Sequence, residues 1–414
     1  MPIQSSNIDA RSMSNTLLAE PAAPAASAVP RFDTIDLLRG LAILGVVLLH
    51  ARIFLSSAGY EVGKGLPQWL RYLVFNQGGN GVSAFFAVSG FLITLVSVRR
   101  FGSLRALSPG AFYRIRFARI APALAVLLLV LSLLHFSGLP LFRIKATQGS
   151  LWHVLFAALT FQLNWFEAVH GWLPPNWTVL WSLSVEEMFY LFFPLLCVLL
   201  MRQRWTRPIF LSLLCALVLF GPFARTPWYT KNEIWSYQSY LGNLDNVALG
   251  CLFGLLAHRM CRGARIRSSR WPLCFQVVGS ALMLFIAEWR WPQVILGWHI
   301  KHALGRSGLD VTLLGLGACL VMLGSVLREK KGTLWSAPVR WLGRYSYEVY
   351  LTHEFVVIAA LLLFLHQAHQ GPVAPWVFVT VLFSGMLGYV VSRLISEPAN
   401  RFLRGALVPA QLRN

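Results

Sequence analysis

The chain has 414 residues, 56% hydrophobic and only 13% charged, with a mean hydropathy of +0.59. Soluble proteins are nearer one quarter charged, so soluble multidomain folds are excluded, as is intrinsic disorder, which needs low hydrophobicity. The net charge of +20 would suggest nucleic acid in a soluble protein; in a membrane protein it reads as topology, because short cytoplasmic loops collect Lys and Arg, and no nucleic-acid partner is expected.

Residues 1–30 are polar and then Ala/Pro-rich, with no apolar run before residue 37. They are expected to form a disordered cytoplasmic leader, with the first apolar run acting as an uncleaved signal anchor. Runs suited to crossing a bilayer fall near 37–55, 81–98, 118–137, 184–201, 208–224, 241–258, 272–290, 309–327, 346–366 and 375–395. An eleventh, 151–166, is short and carries His153, Gln162 and Asn164. If it does not cross and the N-terminus is cytoplasmic, 26 of the 36 Lys and Arg lie inside and 10 outside; if it crosses, the basic loops after it move outside. The predicted fold is therefore all-α: a polytopic membrane bundle of about ten transmembrane helices with both termini cytoplasmic, 151–166 being re-entrant or interfacial. The domain is expected over 31–400, followed by a short basic cytoplasmic tail at 401–414. Six scattered cysteines without a C-x-x-C pair suggest neither a disulfide framework nor a zinc site, and no metal is expected.

Polar groups within spans are expensive and mark candidate sites. Arg39 and His50 lie eleven residues apart on the first span, sharing one helix face about 16 Å apart along the axis. Ser89 and Gly90 remove bulk from the second span, either for close helix packing or for a ligand. Arg114, Arg116 and Arg119 form a basic loop ahead of the third, suited either to lipid headgroups or to a polyphosphate held by paired guanidinium donors. Trp181, Ser184, Glu186, Glu187 and Tyr190 open the fourth; Ser184 and Glu187 fit a capping box, while a carboxyl in an apolar setting suits proton transfer. Tyr347, Tyr350 and His353 follow one another at intervals of three and line one helix face. Glu397-Pro398 closes the last span. No P-loop, H-E-x-x-H or dinucleotide fingerprint is present.

Six segments in order carry a resemblance: RFDTIDLLRGLAILGVVLLH at 31–50, FFAVSGFL at 85–92, RIRFARIAP at 114–122, WSLSVEEMFY at 181–190, GRYSYEVYLTH at 343–353 and EP at 397–398. Together they are similar to the membrane-bound acyltransferase 3 family, the O-antigen and peptidoglycan O-acetylase type. The additional extracytoplasmic hydrolase-like domain that such members often carry is not expected. Met188 stands where the family commonly has Gln. The resemblance implies an integral-membrane enzyme, placed in the bacterial inner membrane, that moves an acyl group, expected to be acetyl, from cytoplasmic acyl-CoA to a hydroxyl of an exported carbohydrate or other acceptor. It assigns the functional Arg-x10-His pair to Arg39 and His50 and the arginine motif to Arg114, Arg116 and Arg119. On that reading His50 is the general base or an acyl-accepting nucleophile. Glu186 orients it, with Glu187 second in line. Arg39 joins the other arginines on the CoA phosphates, Ser89 and Gly90 make room for the pantetheine arm, and Trp181, Ser184, Tyr190, Tyr347, Tyr350 and His353 support substrate. The partners would be acyl-CoA, the hydroxyl acceptor and membrane lipids. The rival class, a secondary transporter, would often show two related halves, and none stands out.

Overall fold

The computed structural model describes residues 32–261, 269–287, 303–328, 331–367 and 372–409; the expected leader at 1–30 and the end of the tail lie outside these. Among the described residues, nine helices are long and apolar enough to cross a membrane, and a tenth apolar helix, Trp271–Ala287, is shorter. In chain order the elements are α1 (Asp33–Ser57), α2 (Gln68–Phe75), α3 (Gly78–Phe101), α4 (Pro109–Phe136), α5 (Leu151–Leu159), α6 (Leu163–His170), α7 (Leu180–Met201) and α8 (Arg207–Ala224). Then come α9 (Glu233–Gln238), α10 (Tyr240–Met260), α11 (Trp271–Ala287), α12 (Leu309–Arg328), α13 (Ala337–Arg344), α14 (Ser346–Gln367), α15 (Ala374–Val391) and α16 (Glu397–Leu407). No strand occurs among the described residues. The chain is a polytopic helix bundle.

Local chemistry explains the boundaries. Asp33 and Asp36 occupy the first turn of α1, where carboxylates complement the positive helix end. Each is also tied to α13, Asp33 to Arg340 and Asp36 to Arg344 at 3.5 Å. Ser108 caps α4, accepting from Ala111 N, and Pro109 takes the first position. This start is nine residues earlier than the span expected at 118–137, so the arginine motif is helical and not a loop. Likewise α7 begins at Leu180, with Val179 as its cap, so no capping box forms at Ser184. That hydroxyl donates back to Leu180 O at 3.2 Å and accepts from Leu163 N at 3.3 Å.

The stretch 151–166 breaks at Phe161, whose φ is +57°. At 1.5 Å per residue its nine-residue helix spans about 13 Å, under half of a ~30 Å hydrocarbon core. It does not cross as one helix. Instead α6 buries Leu163, Asn164 and Glu167.

The centre of the bundle is made by close approach. Helix α3 packs on α1, α10 and α12. A Cβ on Gly90 would overlap the Val247 carbonyl of α10, and one on Gly250 would overlap Ala87 O of α3. Glycine lets these two backbones touch, as small residues do between membrane helices. α14 lies against α1 and α15, and α16 lies against α4.

Candidate active site

Two polar centres share α1. The first is a cavity of about 340 Å³, within the range of small-molecule sites. Arg39 of α1, Ser89 of α3, Arg116 and Arg119 of α4, Glu186 and Tyr190 of α7, and Tyr347 and Tyr350 of α14 all line it. The helical periodicity sorts the arginine motif. Arg116 and Arg119 lie three apart, within about 60° of one another, whereas Arg114 lies two residues and about 200° from Arg116. Arg114 does not line the cavity; its Nη1 donates to Leu407 O at 3.3 Å.

Within the cavity Arg116 donates to Glu187 Oε1 at 2.6 Å and stacks 3.7 Å above the Tyr190 ring. The Tyr190 hydroxyl bonds Ser89 Oγ. Glu187 therefore serves as the counter-charge of an arginine. Tyr347 donates to Ile120 O at 3.2 Å, joining α14 to α4.

The second centre lies two turns further along α14. Its members are His50, His353 and Glu354. His50 Nε2 is 3.2 Å from Glu354 Oε1, and His50 Nδ1 is 3.3 Å from His353 Nε2 and 2.9 Å from Val46 O. His353 Nδ1 lies 2.8 Å from Tyr350 O. A backbone carbonyl only accepts, so His353 carries its hydrogen on Nδ1 and presents a bare Nε2 to His50. His50 is then faced by acceptors on both sides, the His353 lone pair with Val46 O and the Glu354 carboxylate. All contacts are made when both His50 nitrogens carry hydrogen, the form a general base takes after accepting a proton. The other Glu354 oxygen accepts from the amide of Asn176, whose φ of +64° turns that N–H toward α14. Left-handed backbone outside glycine is uncommon and gathers at functional sites.

Glu354 is 5% exposed at its side chain and His50 24%, so the carboxylate is enclosed while the imidazole can be reached. The three also supply the His₂-carboxylate set familiar from zinc enzymes, one ligand atom each, all within 4.8 Å of one another. Motif spacing could not reveal this, because the set joins residues 50 and 353.

Tyr350 links the centres. Its ring lines the cavity and stands 5.9 Å from that of His353, with Phe85 edge-on at 6.4 Å. Ser182 donates to its hydroxyl at 2.8 Å, and that hydroxyl donates to Val179 O at 3.1 Å. His50 itself does not line the cavity.

Several expected assignments move. Glu186 and Glu187 do not meet His50; Glu354 holds that position, because α14, not α7, supplies the carboxylate there. Gly90 faces α10 and does not line the cavity. Trp181, 5% exposed, packs on Phe86 and Tyr237, and Ser184, 1% exposed, joins α7 to α6. Glu354 was the missed residue, adjoining His353 just beyond the segment that carried the resemblance.

A further buried carboxyl, Glu167, lies outside the spans. It accepts from Thr178 Oγ1 at 2.7 Å, Leu173 N at 3.0 Å and Gln238 Nε2 at 2.8 Å. Burial nevertheless dominates these bonds and pushes its pKa up to about 7.

The O-acetyltransferases OatA of Staphylococcus aureus strains NCTC 8325 / PS 47 and COL are each 22% identical over 389 residues, covering 90% of this chain and 58% of the relative. The chain thus spans little more than half the length of these curated relatives. No solved structure matches. The family model described as an acyltransferase domain matches residues 32–392, which takes in His50, His353 and Glu354 and most of the cavity lining, and the chain belongs to that acyltransferase family, acyltransferase 3.

Proposed function

We infer that the protein is a multi-pass O-acyltransferase of the bacterial inner membrane that takes an acyl group, most simply acetyl, from cytoplasmic acyl-CoA. The acceptor is a hydroxyl of an exported carbohydrate or another surface or secreted molecule. Both termini face the cytoplasm, with Arg39 toward the inner end of α1 and His50 toward the outer end. The observation that carries the reading is the His50–Glu354 contact at 3.2 Å, set beside a cavity lined by Arg39, Arg116 and Arg119.

In the reaction, guanidinium groups hold the phosphates of the donor. The apolar cavity wall, including Phe85 and Phe86, accommodates the pantetheine arm and its acyl group. A hydroxyl is a poor nucleophile near neutral pH; His50 removes its proton as its oxygen attacks the thioester carbonyl. The carbon–sulfur bond breaks, and the CoA thiolate leaves and is protonated. Glu354 and His353 fix the imidazole and accept its hydrogens. Glu186 remains in the cavity with Ser89, positioned for the donor rather than for His50.

The test supplies purified protein with acetyl-CoA and a hydroxyl acceptor, following free CoA thiol and the acetylated product together. Acceptor-dependent thiol release is expected. A secondary transporter releases none.

A further inference from the structure

Helix α16 lies beyond the family match, which ends at residue 392, and its second half, from Arg401, falls in the segment expected to be a basic tail. Its placement is not that of a tail. It packs along α4, and Arg114 of α4 bonds the carbonyl of Leu407 in its last turn, as cations do at helix C-termini. One side chain of α16, Arg404, lines the same cavity as Arg100 and Arg119. The Nε of Arg404 is buried with no hydrogen-bond partner among the described residues. Three cations from three helices, α3, α4 and α16, converge on one cavity wall. Guanidinium groups gathered on one cavity wall can share a multiply charged anion.

We propose that α16 is part of the donor site, with Arg404, Arg100 and Arg119 forming a pocket for a phosphate group of the nucleotide-bearing donor. The inference rests on the donor reading above. It turns Arg114 from a phosphate ligand into a positioning residue that fastens α16 to α4. The chemistry required is a multiply charged phosphate oxygen cluster, which accepts several guanidinium donors at once. A lipid headgroup phosphate offers related chemistry and is the competing occupant.

The experiment measures binding without turnover. Full-length protein in neutral phosphatidylcholine nanodiscs is titrated calorimetrically with coenzyme A and, separately, with phosphate-free pantetheine. Wild type is expected to bind coenzyme A much more tightly than pantetheine. Arg404→Ala and Arg404→Gln should each weaken coenzyme A binding about tenfold or more and leave pantetheine binding unchanged, which also reports that the cavity is intact. Arg404→Lys should recover part of the loss, and Arg114→Ala should weaken binding less than Arg404→Ala. If wild type binds no coenzyme A, the donor reading fails and the inference with it. Wild-type binding with equal affinity in both Arg404 variants overturns the inference alone. So does a change confined to nanodiscs containing phosphatidylglycerol, which would make the pocket a lipid site.

Discussion

A buried polar cluster around Asp245 and the centre around His50 are built from similar parts. At the first, Asp245 of α10 is wholly buried. Its Oδ2 accepts from Arg225 at 2.9 Å and Thr312 at 2.5 Å, and its Oδ1 from the amide of Asn246 at 2.8 Å. Arg225 also donates to Gly308 O and Gly242 O. This cluster ties α8, α10 and α12 and leaves the carboxylate nothing further to bind. At the second, Glu354 is as well enclosed, but its partner His50 keeps about a quarter of its side chain open. A closed cluster holds helices together; one with an accessible edge can exchange a proton with a visitor.

Substitutions can break that contrast. His50→Ala should reduce acyl transfer by about 10²–10⁴-fold while the melting temperature stays near that of wild type, read by labelled acetyl transfer and a thermal melt. Asp245→Ala should do the reverse. Leaving Arg225 buried and uncompensated costs about 3–5 kcal/mol, seen as a lower unfolding midpoint with turnover per folded molecule retained. If Asp245→Ala folds normally yet loses turnover, the division of labour is wrong. Glu354→Gln keeps the shape and removes the charge; kcat is expected to fall about 10- to 100-fold with the KM for acetyl-CoA unchanged.

Smaller effects sharpen the picture. The Glu167 carboxyl binds a proton more tightly when folded, its pKa rising from 4.5 to about 7, so the folded state holds more protons between those values. Its contribution is fully present below about pH 4.5 and is lost as pH rises toward 7. The protection of α6 and the 171–179 loop against hydrogen exchange, corrected for base-catalysed intrinsic exchange, should therefore fall across that window in wild type and stay level in Glu167→Gln. The smallest effect is expected from chelation. With His50 acting as a base, prolonged EDTA treatment leaves acyl transfer unchanged, whereas loss of activity restored by zinc would give His50, His353 and Glu354 a ligand role.

Much of this was legible in the sequence because hydrophobic length is a local property. Most span positions follow from it, whereas the non-crossing of 151–166 was read from the distribution of Lys and Arg between the loops. Arg39, Arg116 and Arg119 were also visible, Arg39 at the mouth of the first span and the other two as a cluster of guanidinium groups suited to a polyphosphate. Partnership was less legible. Glu186 and Glu187 drew attention as a neighbouring acidic pair, yet which carboxylate meets His50 depends on α14 crossing α1, a contact between residues more than 300 apart. Gly90 illustrates the same limit: a small residue in a helix has the same sequence signature whether a ligand or another backbone approaches it. Arg404 was hidden because α16 resembles a polar tail until its packing against α4 is known.

Arg39 and His50 belong to one uninterrupted helix, and this makes α1 a gauge between the two centres. Adding a single residue between them would leave every side chain in place chemically yet swing His50 about 100° away from Glu354, or swing Arg39 off its wall. The spacing of eleven is then a matter of phase as much as of distance.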